Sequence, residues 1–300
     1  MAAGILQTLR TQEKLPQITS SFIGDEIDAH DVYRANIKMG STGLKTDLFE
    51  NETMEEIKDK NEMKKTQIFN VIILDRSGSM ECIRQAAVEG FNETLAGIKK
   101  AQEKFAETQD HFVSLVTFCN CEIKHVFDKT PVAEANPLKM EDYQPCCTTP
   151  LYDAMGITLT AMRKYVKEIE DSVVVVTIIT DGLENASHEY SGKTVKELVE
   201  RLRGEGWTFT YMGANQDSVE VAMKLSIRNS RNFAYSDEGT RASMKKDANT
   251  RMNFFSHLAS FRMEAKGCVD SMSAEKRHNT YASMADEAFD EEEENEKGTV

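Results

Sequence analysis

Asp75, Ser77 and Ser79 stand at spacing two in Asp75-Arg76-Ser77-Gly78-Ser79, directly after a short apolar run. An acid and two hydroxyls on a loop tightened by Gly78 can turn three oxygens toward one point. Oxygen ligands of low total charge suit a hard cation, Mg2+, Mn2+ or Ca2+, better than zinc. Two distant positions offer the same chemistry. Thr180-Asp181-Gly182 ends a second apolar run with a carboxylate, and Thr148-Thr149-Pro150 places hydroxyls before a helical pattern. Taken singly, each has a plainer explanation, since Ser and Asp cap helices and an Asp before Gly suits an Asx turn. Taken together, they favour a metal site.

The elements that must position these residues read as alternating strands and helices. Residues 68–74 (IFNVIIL), 112–118 (FVSLVTF) and 173–180 (VVVVTIIT) are nearly continuous apolar runs, suited to strands buried on both faces of a parallel sheet. A weaker run covers 207–212 (WTFTYM) and a short one 232–235 (NFAY). Helical spacing marks 83–105, 151–169, 194–202 and 218–225. This alternation predicts an α/β fold, a doubly wound, Rossmann-like, mostly parallel sheet with helices on both faces. Residues 122–127 follow a strand too closely for a helical crossover, so they should pair antiparallel at an edge. In such sheets ligands bind where a strand end meets the next helix, which is where Asp75 and Asp181 fall.

The order DxSGS, then TPLYDA, then TDG resembles the metal-ion-dependent adhesion site of von Willebrand factor A (vWA) domains, over about residues 66–235. The resemblance selects Thr149 over Thr148 by the alignment of TPLYDA with the family's usual helix start. All five positions are matched: Asp75, Ser77, Ser79, Thr149 and Asp181. It implies that Ser77, Ser79 and often Thr149 touch Mg2+ (or Mn2+ or Ca2+), while Asp75 and Asp181 act largely through bound waters. One coordination position then stays open for an Asp or Glu of a partner protein. The implied function is a metal-dependent protein-binding adaptor rather than an enzyme, and such domains often serve larger assemblies, including ones driven by AAA+ ATPases. TDGLENAS and the later YMGANQD resemble the intracellular bacterial and phage branch. The pattern departs from the family at Cys146 and Cys147, where two glycines are common, and side chains there bear on the geometry around Thr149.

Other chemistry is weaker. A metal-dependent phosphohydrolase of the haloacid-dehalogenase type also begins with an Asp after an apolar strand, but needs a second acid two residues on, where this chain has Ser77. A third reading is an assembly protein with a non-functional site; the five intact positions speak against it. The pairs Cys146-Cys147 and Cys119-Asn120-Cys121 lack CxxC spacing and read as ordinary thiols. Gly192-Lys193-Thr194 matches the end of a P-loop, but the earlier glycine is replaced by Ser187, leaving a plain helix entry.

The chain has 300 residues and a net charge of −14. From Ala285 onward eight acids face one base, which is half of that charge, so the stretch 285–300 is predicted to be a disordered tail. An acidic body without basic patches argues against nucleic acid and against anionic membranes. No run reaches the roughly 18 apolar residues of a membrane span, and MAAGILQTLRTQEKLPQ is not a secretory signal. The expectation is a cytoplasmic protein with reduced thiols. Residues 1–65 read as a polar extension with a charge-rich helix or linker from 50. Residues 66–236 read as the vWA domain. Residues 237–284 read as a helical extension with Met252, Phe255, Leu258, Phe261 and Met263 as candidate buried positions.

Overall fold

Six strands form one sheet in the order β3-β2-β1-β4-β5-β6. The computed structural model describes residues 64–214, 218–265 and 268–297. The N-terminal extension up to residue 63 and positions 215–217 of the YMGANQD stretch lie outside these residues. The strands are β1 (Thr66–Asp75), β2 (Gln109–Cys119), β3 (Glu122–Pro131), β4 (Ser172–Thr180), β5 (Thr208–Ala214) and β6 (Asn229–Phe233). All neighbours run parallel except β2 and β3, which form the expected antiparallel hairpin at the edge. β6 begins three residues and ends two residues earlier than its apolar residues suggested.

The central strands are apolar throughout because both faces are covered. Phe69, Val71 and Ile73 of β1 pack with Val174, Val176 and Ile178 of β4 under helices α2 (Leu151–Val166) and α3 (Gly192–Gly204). Ile72 and Leu74 face the other side, against α1 (Arg84–Lys104). Each such side chain, fully buried, contributes roughly 1.5–3 kcal/mol. A short helix, α4 (Ser218–Lys224), joins β5 to β6. Gly192-Lys193-Thr194 is a helix entry: the Ser191 side chain accepts from the Thr194 N–H, and α3 begins there.

Two C-terminal helices complete the second face. α5 (Asp237–Ala265) and α6 (Ala274–Lys297) enclose a cluster with Ile68, Val173 and Val175 of the sheet. In α5 Phe255 and Leu258 are buried as expected, Met252 and Phe261 are half-buried, and Met263 is exposed. The unexpected members of the buried stripe are polar: Asp247, Arg251 and Arg262. Arg251 donates to Asp247 (2.8 Å) and to Asn70 of β1 (2.9 Å), and also bonds Thr177 of β4. Arg262 meets Asp171 at 3.2 Å, and Arg277 of α6 meets the same acid at 3.4 Å. The stretch after Ala285 differs from the disordered tail its charge suggested. It continues α6 as helix to Lys297, because Ala285, Ala288 and Phe289, at helical spacing, are buried. Among the described residues no helix is long and apolar enough to cross a membrane.

Candidate metal centre

β1 and β4 are neighbours, yet the sheet grows from β1 toward β2 and from β4 toward β5. Their carboxyl ends therefore flank a topological switch point, where connecting loops part and leave a crevice. β1 ends in Asp75, and the next residues form the loop and 3₁₀ turn carrying Ser77 and Ser79. β4 ends in Thr180, followed by Asp181 and Gly182. The loop before α2 brings in Thr149.

The five residues meet. The Ser79 hydroxyl donates to Asp181 Oδ1 at 2.7 Å, and the Ser77 and Ser79 hydroxyls are 3.2 Å apart. Asp75 Oδ1 accepts from the Ser77 N–H at 2.7 Å, and Asp75 Oδ2 accepts from the Thr180 hydroxyl at 2.6 Å. Gly182 measures the space between the loops. A Cβ there would stand 3.2 Å from Thr149 Oγ1, 3.8 Å from Ser79 Oγ and 4.0 Å from Asp75 Oδ2. Asp181 Oδ2 is buried without a hydrogen-bond partner, a costly state for a carboxylate oxygen. A cradle of hydroxyl and carboxylate oxygens beside one unpartnered carboxylate oxygen fits a hard divalent cation.

The electrostatics agree with that fit. Burial lifts the Asp75 carboxyl to about 6, against the hydrogen bonds from Thr180 and Ser77, and the charge of Asp181 adds to the rise. Burial also raises Asp181, opposed by the hydroxyls of Ser79 and Tyr235. Tyr143, wholly buried, is raised far above the usual phenol range by burial and then by the charges of Asp75 and Asp181. Two crowded acids of this kind are relieved by a cation, which inverts the local preference for protons.

Several supporting residues were not legible as site residues. Thr180 was read only as part of its motif, yet its hydroxyl holds Asp75. Tyr143 donates to the Asp75 carbonyl from the loop after β3, and Tyr235 donates to the Ser79 carbonyl. Asn185 brackets Thr149, with its Oδ1 accepting the Thr149 N–H at 2.9 Å and its N–H reaching the Thr149 carbonyl at 3.1 Å. Asp153 accepts from the N–H groups of His188, Glu189 and Tyr190, which fixes the loop after Asp181. Thr180, Asp153, Asn185 and Tyr235 fall within stretches marked above, but nothing in the sequence tied their side chains to the site.

Four of the six cysteines lie close together at the loop that carries Thr149. Cys147 has φ +64°, the left-handed region that favours glycine, so the backbone keeps a glycine-like shape despite its side chain. Its carbonyl accepts from the Gly78 N–H at 3.0 Å, and the Cys146 N–H reaches the Arg76 carbonyl at 2.9 Å. The Cys121 and Cys147 sulfurs are 2.8 Å apart, and those of Cys119 and Cys146 are 3.4 Å apart.

No family model matches the chain, and no curated protein matches it. Solved structures with partial likeness include the pilus adhesin SpaC from Lactobacillus rhamnosus GG, at 12% identity and a TM-score of 0.47, covering 65% of this chain and 32% of that one. The manganese-loaded TRAP protein of Plasmodium vivax overlaps at 13% identity and a TM-score of 0.41, over 63% of this chain and 74% of that one. The SpRpn10 VWA domain overlaps at 13% identity and a TM-score of 0.41, over 60% and 94%. The match spans 46% of another, the mussel byssus protein PTMP1, and about a third of SpaC. At TM-scores below 0.5 such overlaps do not define a family, and the strand order and register described above carry the fold.

Proposed function

We propose that this chain is a vWA-type binding module that holds a divalent cation, Mg2+ or else Mn2+ or Ca2+, through Asp75, Ser77, Ser79, Thr149 and Asp181. The cation takes an Asp or Glu carboxylate from a partner protein, and the module acts as an adaptor, with an AAA+ ATPase assembly as one setting. The observation that carries this reading is the shared space beside Gly182, faced by oxygens from two loops and flanked by the unpartnered Asp181 Oδ2 from a third. Hydroxyls outnumber acids in the set, so a bound ion keeps enough positive character to attract an outside carboxylate. Leu183, 60% exposed and next to Gly182, offers an apolar contact for the buried centre of such an interface. The phosphohydrolase reading fares worse at Ser77. That chemistry needs a second acid two residues after the nucleophilic Asp, and a serine hydroxyl there cannot protonate a leaving group as a carboxylic acid would.

The test is capture of partners from native lysate in millimolar Mg2+ and again in EDTA, with Asp181→Ala as a parallel bait. A protein held by the wild type in Mg2+ and lost in both other arms supports adhesion through the ion. The same proteins in all three arms would overturn it.

A further inference from the structure

Four of the six cysteines gather from two separate stretches of chain. Cys119 ends β2 and Cys121 lies in the β2–β3 turn, while Cys146 and Cys147 lie on the loop before Thr149. The Asn120 N–H donates to the Thr148 carbonyl at 3.0 Å, so the two stretches are joined along their backbones. The sulfurs of Cys119, Cys121 and Cys146 all lie within 4.8 Å of one another. The Cys147 sulfur lies next to this group of three, 2.8 Å from that of Cys121.

We propose that Cys119, Cys121, Cys146 and Cys147 form a second metal site, a tetrathiolate that takes Zn2+, distinct from the oxygen cradle and independent of the function proposed for it. Zinc bound by four thiolates at about 2.3 Å sets its sulfurs roughly 3.8 Å apart. Among Cys119, Cys121 and Cys146 the separations of 3.4 Å and at most 4.8 Å bracket that value, while the Cys147 sulfur, 2.8 Å from that of Cys121, has to move outward by about 1 Å to join them. Soft sulfur donors select zinc over the hard cation suited to the cradle, so the two sites sort their metals by donor type. Disulfides need sulfurs only in pairs, whereas here three converge on one another and the fourth touches one of them.

The charge environment fits as well. A tetrathiolate zinc carries net negative charge, and Arg76 lies beside it. The Arg76 guanidinium reaches Cys146 Sγ at 3.9 Å and Glu122 at 3.5 Å, and its Nε is buried without a partner. The left-handed backbone of Cys147 gives a further indication. A cysteine stands at φ +64°, where glycine would be relaxed.

The experiment uses the full chain, reduced and freed of metal by chelation, titrated anaerobically with Co2+. The expected result is a thiolate-to-cobalt charge-transfer band with the visible bands of tetrahedral cobalt, saturating at one equivalent and erased by Zn2+. Cys121→Ser, at an exposed position, and Cys146→Ser should each weaken cobalt binding by more than about 100-fold, beyond the loss typical of an outer-shell change. Cys82→Ser and Cys268→Ser, outside the cluster, should leave the bands intact, and so should Asp181→Ala. Circular dichroism of each variant separates lost ligation from lost folding. Absence of the charge-transfer band at one equivalent would overturn the proposal. So would bands that survive both serine variants in folded protein, or non-reduced mass spectra showing the four thiols as two disulfides in a chain that takes no cobalt.

Discussion

Asp75 is gripped on both oxygens and sealed from water, and its altered titration has two consequences of opposite sense. Its carboxyl titrates near 6 rather than near 3.8 because burial disfavours the charge. In metal-free protein the unfolded chain gives up this proton first. The stability that Asp75 contributes is therefore present below pH 4 and lost as pH rises through about 6, a difference on the order of 3 kcal/mol. A divalent cation must displace the same proton, so its affinity rises with pH over the same range. Manganese binding, followed by the resonance of the free ion, should be about tenfold weaker at pH 5 than at pH 7. Asp75→Asn should bind more weakly at pH 7 and show a flattened pH profile; an unchanged profile would remove Asp75 from the site. The five candidate ligands were legible because the acid–hydroxyl spacing, the threonine and the second acid each sit beside a recognisable element boundary. Thr180, Tyr143 and Tyr235 were not, since their hydroxyls gain meaning only where the fold aims them. The gathering of four cysteines is equally hidden in the sequence: no spacing along the chain records that the β2–β3 turn meets the loop before Thr149.

Apolar runs announced β1, β2 and β4, whose side chains are buried on both faces and admit few polar residues. β6 and α5 were harder to see because each buries polar side chains. β6 turns Asn229, Arg231 and Phe233 inward, and Arg231 lies 4.6 Å from the centre of the Phe289 ring of α6. Its apolar end alone therefore suggested a strand shifted toward Tyr235. In α5 the stripe facing the sheet passes through Asp247 and Arg251, which blurs its helical periodicity. That ion pair links the helix to β1 and β4 through Asn70 and Thr177. Arg251→Met leaves Asp247 as an uncompensated buried charge and should cost about 3–5 kcal/mol in urea unfolding. The double variant Arg251→Met, Asp247→Leu should recover most of that loss. A double variant as unstable as the single would show that the arginine matters for its packing rather than its charge.

Across the whole molecule, both candidate sites lie around the loops at the carboxyl end of β1, and the C-terminal helices cover the sheet face shared with α1. The α/β architecture was readable from alternating periodicities, and the edge hairpin from a connection too short for a helix. The helical state of the acidic end was not, because its charge outweighed three apolar residues that only a docked helix can use. One feature of the sheet also governs time. β1 lies between β2 and β4, and Asp75 meets Thr180 across 105 residues of chain. The β2–β3 hairpin closes over a short loop, whereas the Asp75–Asp181 cradle exists only after β4 has docked. Distant strand pairing is slow compared with helix formation. On refolding with Mn2+ present, helical circular dichroism should therefore rise before free manganese disappears. Capture of the ion in step with the first helical signal would mean that a partial cradle forms without β4. The interval between the two signals is then a clock for the last strand to arrive.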